Sequence, residues 1–136
     1  MNDGSCGKAD PHRRKQGLEN ASILVVDDEA LIRMDTMYIL EDAGYSAVEA
    51  ADSDEAITML ERCPGITTVL TDINMPGSMD GLQLSRLIRD RWPLIGLVVT
   101  SGRFLAKAAQ MPAGVHFIAK PYTPSEIVSA LQNCAA

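Results

Sequence analysis

Short aliphatic runs alternate with amphipathic segments from residue 22 onward, and this alternation predicts a βα unit repeated five times. The predicted strands cover residues 23–26, 45–51, 67–71, 94–99 and 115–119. Apolar residues at helical spacing follow over residues 32–43, 56–63, 82–91 and 124–134, and a short or irregular helix is expected between residues 103 and 114. Asp52 and Glu55 form a D-x-x-E pattern that predicts a capping box before the second helix. The pattern therefore indicates an α/β fold with a parallel sheet and helices on both faces.

Polar residues follow four of the five predicted strands. Asp27 and Asp28 follow the first strand, Asp72 the third, Thr100 the fourth and Lys120 the fifth. In an open parallel sheet the ligand site lies beyond the carboxyl ends of the strands. A polar group placed there at random would lose its hydration and gain little. We therefore expect these side chains to converge at one edge of the sheet.

The chemistry of these residues predicts a site that binds a divalent cation and accepts a phosphoryl group. Three carboxylates within about 5 Å repel one another by roughly 3 kcal/mol per pair at an effective dielectric constant near 20. The Lys120 ammonium can neutralise one charge, and Mg²⁺, with Mn²⁺ as an alternative, is the natural counter-ion for the rest. Asp72 can then attack phosphorus while Lys120 and the metal neutralise the transferred group and Thr100 donates a hydrogen bond to it.

Composition narrows the function classes. The 136 residues suit one domain, and 12 basic against 18 acidic residues give a net charge of −6, which disfavours direct binding to nucleic acid. The absence of a long apolar run and of a secretory leader predicts a protein that does not insert into membranes and is cytoplasmic. Three cysteines without metal-ligand spacing predict neither a disulfide framework nor a zinc site. Residues 1–21 are predicted to form a disordered tail, and residues 22–136 are predicted to form the folded domain.

Five segments, in the same order, resemble the receiver domain of bacterial two-component response regulators. They are Val25-Val26-Asp27-Asp28-Glu29, Thr71-Asp72-Ile73-Asn74-Met75-Pro76, Met79-Asp80-Gly81, Val99-Thr100-Ser101-Gly102 and Lys120-Pro121-Tyr122. The resemblance covers about residues 22–134 and is specific because all five segments are present. It implies a flavodoxin-like, doubly wound (β/α)5 fold with strand order 2-1-3-4-5.

The resemblance also assigns roles to individual positions. It implies that Asp72 is the phospho-acceptor, that Asp28 binds Mg²⁺ directly, and that Asp27 acts on the metal through water. The backbone carbonyl of Asn74 would complete the protein ligands.

The remaining site positions concern the phosphoryl group and the switch. Thr100 and Lys120 would contact the phosphoryl group, and Phe117 would reorient when Thr100 is drawn towards it. The implied phosphodonor is a sensor histidine kinase or a histidine phosphotransfer protein, and a further, unknown protein would read the signal. We expect a stand-alone receiver that is not otherwise an enzyme, with its oligomeric state left open.

Three departures from the family pattern bear on how partners would bind. The 76–81 loop is one residue longer than usual, and nineteen residues separate Thr100 from Lys120, slightly fewer than usual. The last helix carries no Lys or Arg, so the charge-paired dimer of DNA-binding regulators is not expected.

Simpler interpretations of the same residues stay open. Asp27 and Asp28 could cap the first helix, Thr100 could cap another, Lys120 could be a solvated charge, and Phe117 could be a core aromatic. At the level of function, the alternatives are a magnesium-dependent aspartyl-phosphate phosphatase or phosphotransferase and a receiver-like scaffold that is not phosphorylated. A nucleotide-binding domain is disfavoured because no glycine-rich turn follows the first strand.

Overall fold

The computed structural model describes residues 22–73, 79–101, 114–120 and 122–135. The strands are β1 (Ser22–Val26), β2 (Ser46–Ala50), β3 (Ile66–Asp72), β4 (Gly96–Ser101) and β5 (Val115–Ala119). The helices in these ranges are α1 (Ala30–Asp42), α2 (Ser53–Arg62), α3 (Gly81–Arg91) and α4 (Pro124–Ala135). The predicted tail over residues 1–21, Asn74 and the predicted helix between residues 103 and 114 lie outside the described ranges.

All five strands are parallel, and their order is β2-β1-β3-β4-β5, as predicted. The order reverses at β1, because β2 pairs on one side of it and β3 on the other. Such a reversal opens a crevice at the carboxyl ends of the strands. The predicted site residues follow β1 and its neighbours at this edge.

The central strands are buried on both faces, which explains the unbroken aliphatic run over residues 23–26 in β1. On one face, Leu24 and Val69 pack with residues of α2 and α3, including Leu60 and Leu84. On the other face, residues of β1 and β3 pack with α1 and α4. The buried side chains of this second core cluster are Ile23, Val25, Leu40, Leu70, Val98, Ile118, Ile127, Ala130 and Leu131. The helices α1 and α4 therefore cover the same face of the sheet.

The start of β4 differs from the prediction. The strand begins at Gly96 rather than Leu94, and Leu94 is 97% exposed. The guanidinium of Arg89 donates hydrogen bonds to the carbonyls of Pro93 and Ile95, each at 3.0 Å. These bonds hold the residues before Gly96 in a turn and keep them out of the sheet.

The predicted capping box at α2 is incomplete. The Asp52 carboxylate accepts from the Glu55 N–H at 2.8 Å, but the Glu55 carboxylate accepts from Ala51, one residue before the cap. A complete box forms at α3 instead, where Asp80 and Gln83 exchange side-chain to backbone hydrogen bonds. In the ranges described, no helix is long and apolar enough to cross a bilayer.

Candidate metal centre at the strand ends

Three carboxylates meet where the strand order reverses. Asp27 and Asp28 follow β1, and Asp72 is the last residue of the adjacent β3. One oxygen from each lies within 4.8 Å of the others. Asp27 and Asp72 are buried, whereas Asp28 is exposed and opens the cluster to solvent. Two carboxylates of the cluster are thus shielded from solvent, and the third, that of Asp28, lies at the solvent-exposed opening of the site.

Lys120 brings a single positive charge to this cluster. Its Nζ lies 3.3 Å from Asp72 Oδ1 and 3.8 Å from Asp27 Oδ2, and its side chain is 19% exposed. Burial alone would lower the pKa of Lys120, but the charges of Asp72 and then Asp27 outweigh burial and raise it. Lys120 is therefore a charged ammonium at neutral pH.

The pKa of Asp72 is raised above its ordinary value, mainly by burial, although an ammonium lies beside it. Burial raises the pKa of this carboxyl above its ordinary value, Lys120 lowers it, and the charge of Asp27 raises it again. The net direction is upward despite the ammonium at 3.3 Å. Carboxylate oxygens are the ligands that Mg²⁺ takes in proteins. The donor set and its excess of negative charge therefore fit a hard divalent cation.

The start of α1 holds Asp27 in place. Asp27 Oδ1 accepts from the Glu29 N–H at 2.9 Å, and Arg33 Nη1 donates to the Asp27 carbonyl at 2.7 Å. Arg33 is itself fixed by Glu49 of β2, at 2.7 Å. The N-cap residue of α1 is Glu29, which makes no side-chain cap bond. Neither Asp27 nor Asp28 caps this helix, so that simpler interpretation is wrong.

Gly81 permits a close approach to the backbone of Asp72. A Cβ at this position would overlap the Asp72 carbonyl oxygen and lie 2.7 Å from the Cα of Ile73. The Gly81 N–H donates to the Ile73 carbonyl at 2.9 Å, which joins the start of α3 to the residue after β3. A side chain here would push apart the two segments that place the Asp72 carboxylate.

Thr100 lies beside Asp72, and Phe117 lies farther away. Thr100 is buried, pairs with Asp72 in the register of β4 against β3, and lines a small cavity with Asp27 and Asp72. Phe117 is half-buried, pairs with Val99, and is not among the residues that line this cavity. Asn74 lies outside the described residues. The structure thus brings together Asp27, Asp28, Asp72 and Lys120, with Thr100 next to them.

Sequence reasoning missed three residues around the site. Arg33 binds the Asp27 carbonyl, and Thr36 and Tyr122 line the small cavity. The Thr36 and Tyr122 hydroxyls lie 3.1 Å apart. The family resemblance includes Tyr122 in the Lys120-Pro121-Tyr122 segment but assigns it no role, and no sequence motif singles out Thr36. The direct contact between them needs the relative placement of α1 and the chain after β5, which no local pattern encodes.

Comparison with known proteins finds similar proteins over nearly the whole folded part of the chain. A model of the response regulator receiver domain matches residues 23–132. A putative response regulator NtrX-like protein of Rickettsia bellii is 34% identical over 115 residues, covering 82% of this chain and 24% of that protein. The transcriptional regulatory protein PdtaR of Mycobacterium tuberculosis is 32% identical over 114 residues, covering 81% of this chain and 54% of that protein. The chain thus spans between about a quarter and about half of these two relatives.

A solved structure shows the same arrangement of strands and helices. The response regulator receiver protein from Sinorhizobium medicae superposes with a TM-score of 0.78 at 30% sequence identity. The match covers 84% of this chain and 93% of that one.

Proposed function

The chain belongs to the response regulator receiver domain family, and from that premise we propose that it accepts a phosphoryl group on Asp72 in a magnesium-dependent reaction. The observation that carries the proposal is the grouping of Asp27, Asp28 and Asp72 within 4.8 Å, with the Lys120 ammonium 3.3 Å from Asp72. This grouping joins a nucleophile, a cation site and a fixed positive charge at one edge of the sheet.

The reaction is an in-line displacement at phosphorus. A carboxylate oxygen of Asp72 forms the new O–P bond, and the bond from phosphorus to the donor's histidine nitrogen, or to its acyl oxygen, breaks. The leaving group departs with the electron pair of that bond. A bound divalent cation would neutralise charge on the phosphoryl oxygens. Lys120 supplies a second positive charge, and Thr100, beside Asp72, is placed to donate a hydroxyl hydrogen bond.

The contacts of the two neighbouring aspartates support different roles. Asp27 already uses one oxygen for the Glu29 N–H and directs the other towards Lys120 at 3.8 Å. Asp28 is exposed, and it forms no side-chain hydrogen bond or ion pair with any described residue. Asp28 is therefore free to bind the metal directly, while Asp27 acts from behind, in part through water.

An apolar stripe on α1 provides a surface for the phosphodonor. Leu31, Met34 and Tyr38 are 81%, 60% and 71% exposed, and their spacing of three and four residues places them on one face of the helix. The helix begins two residues after Asp28, so this face lies next to the mouth of the site. We propose that the stripe packs against the histidine-bearing helix of a sensor kinase or a phosphotransfer protein, by the helix-in-groove type of contact.

Intact-mass measurement tests the phosphorylation step. With Mg²⁺ and a small acyl-phosphate donor, the wild-type protein should gain the mass of one phosphoryl group, and chelation of Mg²⁺ should prevent the gain. Asp72→Asn should gain nothing, Asp28→Ala should gain little, and Asp90→Asn, an exposed site on α3, should behave as wild type. An unchanged gain in Asp72→Asn would refute the acceptor. No gain in the wild type would favour a scaffold that is not phosphorylated.

Transfer from a protein donor tests the stripe. Leu31→Glu together with Tyr38→Glu should slow transfer from a phosphohistidine protein and leave phosphorylation by the small donor unchanged. Leu94→Glu is the matched control, because Leu94 is 97% exposed and lies at the opposite end of the sheet, before β4. Equal slowing by the control would show that the stripe has no special role.

A further inference from the structure

Tyr122 connects the Lys120 segment to α1. Its hydroxyl lies 3.1 Å from Oγ1 of Thr36, a residue 86 positions earlier in the chain and 2% exposed. A threonine within a helix can bond to the carbonyl four residues before it, whereas the Thr36 hydroxyl shares a hydrogen bond with the Tyr122 hydroxyl, in which either can be the donor. A buried hydroxyl that loses its partner carries a desolvation cost, so the pair favours this one arrangement.

The contact bridges two sides of the site that the sheet keeps apart. Asp27 and Asp28 lie at the end of β1, and Lys120 lies at the end of β5, with β3 and β4 between those strands. The hydrogen bond from Tyr122 to α1 spans this gap on the face covered by α1 and α4. Thr36 and Tyr122 line the same small cavity as Asp72 and Thr100, so the bridge borders the cavity that the proposed acceptor also lines.

The backbone around Tyr122 is held at two points. The Lys120 N–H donates to the Ser101 carbonyl at 2.8 Å, which fixes the segment to β4. Thr123 and Glu126 exchange side-chain to backbone hydrogen bonds, at 2.7 and 3.2 Å, which fixes the start of α4. Between these anchors, the Tyr122 ring packs against the second core cluster and its hydroxyl reaches α1. The Tyr122 side chain therefore joins the segment that follows Lys120 to α1.

We propose that Tyr122 is a positioning residue, which acts through its hydrogen bond to Thr36 to hold the Lys120 ammonium against the Asp72 carboxylate. This inference rests on the proposed phosphorylation of Asp72. Tyr122 touches neither the donor nor the phosphorus. Its contribution passes through Lys120, so it disappears when the ammonium is absent.

A double-mutant cycle tests the inference. Tyr122→Phe keeps the ring and removes the hydroxyl, and Thr36→Val removes the partner at nearly the same volume. Each should slow phosphorylation by a small acyl phosphate roughly three- to tenfold, the range expected for one neutral hydrogen bond. The double variant should be no slower than either single variant. Thr58→Val, which removes an exposed hydroxyl from α2, should have no effect with the small donor.

Two further measurements separate positioning from general stability. In a Lys120→Met background, Tyr122→Phe should cause no further slowing. Titration with Mg²⁺ by calorimetry, and with a beryllium fluoride complex by ¹⁹F NMR, should show unchanged Mg²⁺ affinity and weaker beryllium fluoride affinity in Tyr122→Phe.

The inference is overturned by equal slowing in both backgrounds, by parallel loss of both affinities, or by a wild-type rate in Tyr122→Phe. If the wild type itself neither gains the phosphoryl mass nor binds the fluoride complex, the proposed function fails first and the inference falls with it.

Discussion

Lys120→Met should unfold more easily than the wild type in metal-free buffer, and Mg²⁺ should restore most of the loss. The substitution keeps the length and the apolar stem of the side chain and removes its charge. Asp27 and Asp72 then remain buried beside each other, and neither carboxylate has an ion-pair partner among the described residues. The free energy of unfolding of this variant therefore shows how much the Lys120 ammonium stabilises the fold.

The expected size of the effect follows from the distances. At an effective dielectric constant near 20, Coulomb's law gives about 5 kcal/mol for an ion pair at 3.3 Å and about 4 kcal/mol at 3.8 Å. Desolvation of the ammonium offsets part of this, and breaking a buried pair costs about 3–5 kcal/mol in practice. Because Lys120 is 19% exposed and Asp28 opens the site to water, we expect a loss of about 2–3 kcal/mol. A hundredfold excess of Mg²⁺ over its Kd would return about 2.7 kcal/mol.

Urea unfolding, followed through the single tryptophan, Trp92, measures the free energy of unfolding with chelator and with millimolar Mg²⁺. Arg91→Met is the matched control. Arg91 pairs with Glu61 at 3.0 Å and lies over the Trp92 ring, but both charged side chains are more than 40% exposed. Its loss should be at most about 1.5 kcal/mol and independent of Mg²⁺. The reasoning is refuted if Lys120→Met matches the wild type without metal, or if Mg²⁺ leaves its deficit unchanged.

Three further outcomes are expected. Because the pKa of Lys120 lies above its usual 10.5, the stability that its charge supplies in metal-free buffer is complete below pH 10.5. That stability is lost as the pH rises through the folded pKa, and an alkaline titration of Lys120→Met should lack this loss. Because burial raises the pKa of Asp72 above 3.8, its ionisation lowers stability as the pH rises from 3.8. Without metal at neutral pH, Asp72→Asn should therefore have the higher denaturant midpoint. Gly81→Ala should lower the free energy of unfolding by about 1–3 kcal/mol, measured by calorimetry, and should slow phosphorylation. Gly65→Ala, with open space around the added methyl group, should change neither the stability nor the rate.

Much of the fold follows from local patterns because the buried strands and the amphipathic helices have different periodicities. Where the predicted boundaries are wrong, a hydrogen bond from a nearby polar side chain is responsible. Arg89 captures the Pro93 and Ile95 carbonyls and delays the start of β4. Glu55 accepts from Ala51 rather than from its own cap residue. The apolar pattern does not reveal these contacts, because the pattern is the same with or without them.

The candidate site is predictable for a different reason. Parallel strands end at one edge, so the residues that follow Val26, Thr71 and Ala119 lie along the same edge of the sheet. This property of parallel sheets predicts that the carboxylates and the ammonium lie at one edge. It does not predict the hydrogen bonds that hold the neighbouring residues in place. The bonds of Arg33 to Asp27 and of Tyr122 to Thr36 depend on the angle of α1 to the sheet. They are consequences of packing, and only the assembled fold reveals them.

The charge of the site gives a physical reason why metal and phosphoryl group should bind together. Three carboxylates and one ammonium leave the pocket with a formal charge of −2, which a divalent cation brings to zero. Transfer to Asp72 replaces its single charge with a phosphoryl group of about −2. With the cation present the pocket then carries about −1, and without it about −3, in a place where Asp27 is already buried. The metal therefore removes most of the electrostatic repulsion in the phosphorylated pocket. Lys120, the remaining positive charge, pairs with the Asp72 carboxylate before transfer and with the phosphoryl oxygens after it. A contact that fixes where this ammonium lies consequently affects how readily the phosphoryl group is accepted.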